Sequence, residues 1–240
     1  MLLLMKHSST TGLALFALLI AMLGRDANAQ ASSLPSIADL PVIEVPARGV
    51  NNYFAVLVSG DGGWARIDKR LAEALAANGV TVVGFDSLKY FWIARTAQIF
   101  ADDLDRVLRH FAGKYAKSRI LLIGFSHGAD VLPFALNRLP VSSRALVAQT
   151  VLLGLAETTS FQFKLSGLLG KTDRGVSTLP EVSKLRAAET LCLYGLDDDS
   201  VCPRISPSNA TIESLPGDHH FAGDYAKLAT ILLARMRAEP

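Results

Sequence analysis

Only two of the 240 residues are cysteine, too few for a disulfide-built scaffold but enough for one bridge. Excess charge is almost absent: 24 Lys and Arg against 22 Asp and Glu leave a formal net charge of +2, which gives no general electrostatic grip on nucleic acid. Charged residues make up only 19% of the chain and apolar ones 50%, a balance that excludes a disordered chain and supplies a sizeable core. Long apolar runs are missing beyond the N-terminus, as are internal repeats and low-complexity tracts. The length argues for one domain.

The one strongly apolar run near the N-terminus, Leu13 to Leu23, is eleven residues long. As a helix it spans about 16 Å, too short for a bilayer core. Lys6 precedes it, and Gly24-Arg-Asp26 and the small-residue pattern Ala27-Asn28-Ala29 follow. This order is that of a secretory signal peptide over residues 1–29, cleaved before Gln30, which leaves residues 30–240 as a single exported domain. In an oxidising compartment Cys192 and Cys202 are candidates for a disulfide, two buried thiols being the alternative.

Residues 30–48, with Pro35, Pro41 and Pro46, read as an entry segment with one edge strand. Short apolar strands are then expected at 53–58, 80–83, 119–123, 145–153, 190–194 and 211–215. Helices are expected at 66–77, 96–111, from the turn after Ile123 to about Leu139, and at 224–237. Continuous apolar strands alternating with helices predict an α/β fold, a mostly parallel sheet covered on both faces.

Gly124-Phe-Ser126-His-Gly128 lies between a buried strand and a helix, where a tight turn lifts a serine hydroxyl above the sheet edge. A serine needs a base to take its proton. Of five histidines, His7 falls in the leader, His110 ends a surface-type helix and His127 adjoins the serine. His219 and His220 remain, in a loop after the last strand. His219, two residues before Phe221, is favoured as the base, and His220 is left a bracing role. The acid is expected in the preceding loop, among Asp197, Asp198 and Asp199. Asp199 stands four before Pro203 and is preferred, with Asp198, three after Gly195, as the alternate. Its task is to accept the imidazole N–H and fix the tautomer. A Cys192–Cys202 bridge would staple the loop that carries it.

Negative charge developing on the reacting carbonyl needs backbone N–H donors. The N–H of His127 is one, and the glycine-rich turn after the first central strand offers Asp61 or Gly62 as the other. No cofactor is indicated. The adjacent histidines lack the further ligands of a tetrahedral metal site, so no metal is expected.

Together Gly60-Asp-Gly-Gly-Trp64, Asp86-Ser-Leu-Lys-Tyr-Phe-Trp92, Gly124-Phe-Ser-His-Gly-Ala-Asp130, Cys192-Leu-Tyr-Gly195, Asp199-Ser-Val-Cys-Pro203 and Pro216-Gly-Asp-His-His-Phe221 resemble the VirJ/AcvB family of bacterial periplasmic virulence-associated proteins. The resemblance runs from about residue 50 to the end. His127 departs from the family's usual turn, which has an aromatic residue there. The resemblance implies an α/β-hydrolase domain in the periplasm with a short lid-like insertion. It also implies either hydrolysis of the aminoacyl ester of lysyl-phosphatidylglycerol, an aminoacylated phospholipid, or a role beside type IV secretion components. Trp64, Tyr90, Phe91 and Trp92 are candidates to line the substrate pocket, core filling being the other reading of Tyr90 to Trp92. Residues 161–174 combine Phe161, Phe163 and three leucines with Lys164, Lys171 and Arg174, suited to a lid packed on the core or to resting on an anionic membrane surface.

Overall fold

Nine strands and four longer helices follow one another in the computed structural model, which describes residues 34–49, 51–163 and 175–237. The strands are β1 (Val42–Val45), β2 (Tyr53–Val58), β3 (Val82–Phe85), β4 (Arg119–Phe125), β5 (Val147–Leu153), β6 (Thr158–Thr159), β7 (Val176–Ser177), β8 (Thr190–Gly195) and β9 (Thr211–Leu215). The helices are α1 (Arg66–Ala77), α2 (Ala97–Tyr115), α3 (His127–Leu136) and α4 (Tyr225–Arg237). Residues 1–29, expected from the sequence to be a leader, and residues 164–174 of the expected lid-like stretch lie outside the described residues.

Seven strands form one sheet in the order β1-β3-β2-β4-β5-β8-β9, and β6 pairs with β7 in a two-stranded ribbon. Only β1 in the large sheet runs antiparallel, along β3; the other pairings are parallel. The central strands are buried from end to end because both faces are covered. Their side chains alternate between two cores. Phe54, Val56 and Val58 of β2 join Ile120 and Leu122 of β4 against α2 and α3. Tyr53, Ala55 and Leu57 join Leu121 and Ile123 against α1 and α4.

Local chemistry sets most boundaries. α1 stops where Gly79 takes a left-handed φ of 84° and the Val80 N–H bonds the Leu75 carbonyl at 3.1 Å. That bond commits Val80 to the helix stop, so β3 starts at Val82, two residues later than the apolar pattern predicts. Thr96 caps α2 by accepting the Ile99 N–H at 3.1 Å, and the helix runs on to Tyr115, past the expected 111, before Ala116 turns left-handed. Phe161 and Phe163 pack around Phe91 in the core, 6.0 and 6.1 Å between ring centroids.

The parallel strands β2, β4, β5 and β8 all end on the same edge of the sheet. β3 and β9 run parallel to them, and the segments that follow these strands carry Asp61, Tyr90, Ser126, Asp198 and His219.

Candidate active site

Ser126 sits between β4 and α3 with φ 52° and ψ −122°, a conformation that costs a non-glycine residue about 1–3 kcal/mol. Its surroundings enforce the turn. The Ser126 N–H bonds the Leu153 carbonyl of β5 at 2.8 Å, and the Asp130 N–H bonds back to the Ser126 carbonyl at 3.1 Å. A Cβ at Gly124 would lie 2.5 Å from the Gly128 carbonyl, and one at Gly128 would lie 2.1 Å from the Val58 carbonyl oxygen. The two glycines are therefore required so that strand, turn and helix can touch.

His219 and Asp198 meet from two different loops. The His219 Nδ1–H faces both carboxylate oxygens of Asp198 at 3.0 Å, with Asp198 mostly buried. An N–H on Nδ1 leaves Nε2 as the lone-pair nitrogen, the form a general base needs. The ring lies over Gly154, whose hypothetical Cβ would be 2.6 Å from His219 Cε1, and beside Phe125 at 5.2 Å between centroids. Gly154 directly follows Leu153, which holds the Ser126 N–H, so adjacent residues at the end of β5 touch the serine and the imidazole. Ser126 Oγ makes no hydrogen bond among the described residues.

Asp199, the preferred acid on spacing, is exposed, as is Asp197. The reason is the turn after β8. The Asp198 N–H bonds the Gly195 carbonyl at 3.0 Å, which folds Asp198 inward and leaves its neighbours outward. The two loops are interlocked as well: Leu196 N–H to Leu215 O at 2.8 Å and Asp197 N–H to Gly217 O at 3.0 Å. Cys192 and Cys202 are joined in a disulfide, Cα atoms 5.7 Å apart, so Asp198 sits inside the stapled loop. His220 faces away, its N–H on Asp218 and its ring 6.0 Å from Phe125.

Of the residues named from the sequence as oxyanion donors, His127 and Asp61 line a cavity with Ser126 and Gly62 does not. The Gly63 N–H bonds the Gly60 carbonyl at 3.1 Å, which leaves the N–H groups of Asp61 and Gly62 unbonded within the turn. Asp61, Ser126 and His127 line a cavity of about 260 Å³ with Asp130, Thr158, Thr159, Ser160, Phe163 and Gly175. Gly62 instead lines a neighbouring cavity of about 520 Å³. The turn is braced from behind. Ser59 Oγ accepts the Ser87 N–H at 2.9 Å, and the Ser87 hydroxyl donates to the Ser59 carbonyl at 2.7 Å. Asp68, in the first turn of α1, accepts the Ala65 N–H at 3.1 Å; burial pushes its carboxyl up to about 6.

None of the four aromatic pocket candidates lines the cavity beside Ser126. The Trp64 ring lies on Gly84 of β3, where a Cβ would be 2.4 Å from it. Tyr90 is core, its hydroxyl donating to Asp103 at 2.6 Å. Phe91 is fully buried behind His127, 4.9 Å between ring centroids, and Trp92 is 57% exposed. The apolar side chains follow the cores on either face of the sheet, whereas polar residues and Phe163 line the cavity.

The cavity also holds side chains to which the sequence assigned no role, those of Asp130 and His127. Asp130, in the first turn of α3, is buried and accepts the Ala156 N–H on Oδ1 at 2.7 Å. Burial pushes its carboxyl up to about 7, opposed by that N–H and reinforced by the charges of Asp61 and Asp198. His127 donates Nε2–H to the Ser160 carbonyl at 2.9 Å, and burial lowers its pKa, which holds it neutral. Asp130 belongs to the Gly124–Asp130 motif, but nothing in one sequence tells a cavity carboxyl from a helix-start one.

A family model described as bacterial virulence protein (VirJ) matches residues 52–239. No curated relative matches the chain. Among solved structures, MenH from S. aureus superposes with a TM-score of 0.58 at 13% identity, over 82% of this chain and 97% of that one. Est1E from Butyrivibrio proteoclasticus gives 0.55 at 14%, covering 82% and 94%. XC6422 from Xanthomonas campestris, described as an α/β serine hydrolase without lid, gives 0.51 at 18%, covering 83% and 90%. At these identities the likeness establishes the fold, which is that of the α/β hydrolases.

Proposed function

The chain belongs to the VirJ family, and from that premise we propose that it is a serine hydrolase acting on esters through an acyl-enzyme. The observation that carries this reading is the convergence of Ser126, held in a strained turn, with an imidazole whose Nδ1–H is fixed by a mostly buried carboxylate.

In the proposed cycle Ser126 Oγ attacks the ester carbonyl while His219 Nε2 takes its proton. Asp198 keeps the N–H on Nδ1 and stabilises the imidazolium. The N–H groups of His127 and Asp61 receive the oxyanion; each such donor is typically worth about 3 kcal/mol of barrier. His219 returns the proton to the departing alcohol oxygen, leaving an acyl group on Ser126. Water, deprotonated by the same nitrogen, then releases the acid and restores the serine.

The finer reading is that the ester is the lysyl ester of lysyl-phosphatidylglycerol, so that a lysyl-enzyme forms and the lipid departs as the alcohol. Family membership supports it, and so does a polar, acid-lined cavity beside the nucleophile, which suits a cationic acyl group better than a fatty one. Export by the leader and action at a membrane surface belong to the same reading; a non-catalytic or dual role beside type IV secretion components is the alternative.

The test is labelling of the purified protein with a fluorophosphonate, against Ser126→Ala, followed by lysine release from lysyl-phosphatidylglycerol vesicles. Labelling that vanishes in the variant, with release of lysine, is expected. A folded protein that takes no label would overturn the enzyme reading in favour of a secretion-partner role. Mass spectrometry of the exported protein is expected to find Gln30 as its first residue.

A further inference from the structure

Three side chains that line the cavity beside Ser126 each carry an acceptor with an unmet hydrogen bond. Asp130 is 6% exposed; its Oδ1 holds the Ala156 N–H, and its Oδ2 has no partner among the described residues. Thr159 is 5% exposed, and its hydroxyl is buried without a partner. His127 is 8% exposed, and its Nδ1 is likewise unpartnered. Because Nε2 donates to the Ser160 carbonyl, which can only accept, Nδ1 of the neutral ring is an acceptor. Unsatisfied buried polar atoms are costly, and two of them beside a free carboxylate oxygen around one cavity call for a ligand that completes them.

We infer that Asp130, Thr159 and His127 form a subsite for a primary ammonium group on the acyl side of the substrate. An ammonium has three N–H donors and one positive charge. The three acceptors match the donors, and the Asp130 carboxylate matches the charge. Asp61 lines the same cavity and Asp198 lies within electrostatic reach, so two further carboxylates favour a cation there. No Lys or Arg is among the described residues that line it. Asp130 lies one helical turn beyond the nucleophile, so a cation held there belongs to the acyl group under attack. The high pKa of the free carboxyl fits the same picture: buried among like charges, it is relieved by a bound cation. The inference deepens the aminoacyl-ester reading and rests on Ser126 as the nucleophile.

The test measures binding, so it stands apart from turnover. L-lysinamide, L-norleucinamide and hexanamide, carrying two, one and no ammonium groups, are titrated calorimetrically into the Ser126→Ala protein. Lysinamide is expected to bind at least about tenfold more tightly than hexanamide, the scale of one charge-assisted hydrogen bond. Norleucinamide shows whether the α- or the ε-ammonium is held. Adding Asp130→Asn, which keeps an acceptor for the Ala156 N–H, is expected to reduce the preference to about twofold or less. Thr159→Val covers the case in which Asp130→Asn fails to fold. It removes an unpartnered hydroxyl, so a purely structural role predicts no loss of thermal stability and no change in ligand preference. The subsite predicts unchanged stability with a severalfold loss of preference. Equal binding of the three amides, or a preference that survives the substitutions, overturns the subsite. Failure of fluorophosphonate labelling would overturn the hydrolase reading while leaving these titrations to report on the cation site.

Discussion

The two halves of the site are built in opposite ways. The half that carries the proposed nucleophile is local: Ser126 and its two glycines span five residues, and their geometry follows from hard contacts among β4, α3 and β2. The acid–base half joins residues 21 apart, on loops after β8 and β9, through hydrogen bonds, a disulfide and the surface of Gly154. A turn made by sterics has little freedom to be rebuilt, whereas a pair made by two loops depends on everything that holds those loops.

The sharpest test of that contrast is in the acid–base half. Asp198→Asn is expected to lower kcat about 10³- to 10⁴-fold, as loss of the tautomer-fixing carboxylate does in a triad. Asp199→Asn, one residue away and exposed, is expected to change kcat less than about twofold. Equal losses in ester-hydrolysis kinetics would place the acid elsewhere.

In the nucleophile half, Gly128→Ala sets a Cβ 2.1 Å from the Val58 carbonyl. It is expected to cost more than about 3 kcal/mol in chemical denaturation, or to prevent folding. A near-neutral result would show that the turn is less tightly determined than its contacts imply.

Replacing both Cys192 and Cys202 by Ala is expected to lower stability by about 3 kcal/mol, from the loop-closure entropy of a ten-residue separation. Activity is expected to fall further than folding does at moderate temperature, because the staple holds the loop of Asp198. Parallel melting and activity curves that coincide would confine the disulfide to a stability role.

Asp68, behind the oxyanion turn, gives the smallest effect. Burial raises its carboxyl from the ordinary carboxylate range to about 6. The protonated carboxyl is favoured in the fold, so this contribution is present at low pH and is lost as pH rises through about 6. Asp68→Asn does not titrate, and from pH 4 to pH 8 it is expected to gain about 2 kcal/mol relative to the parent chain. Melting temperatures at the two pH values check this, and a constant difference would refute it.

Much of the molecule was legible because it rests on short-range rules. Apolar runs of strand length between helical patterns specify a parallel sheet covered on both faces, and Gly-x-Ser-x-Gly after such a strand specifies the turn. Where rules of equal strength competed, the sequence could not choose. Spacing favoured Asp199, but the Asp198 N–H bond to Gly195 turns Asp198 inward. Aromatic residues near a strand end were pocket candidates, yet Trp64 lies on Gly84, and Tyr90 and Phe91 are drawn into the core.

By itself, then, the sequence determined the alternation of strands and helices and the Gly-x-Ser-x-Gly turn, since each depends on neighbours within a few residues. Only the tertiary structure decided which aspartate meets His219. The same holds for Gly154 as the floor beneath the imidazole and for the polar cavity formed by Asp130, Thr159 and His127. These depend on contacts across β5, β6, β8 and the loop after β9, whose register is set by packing of the whole sheet.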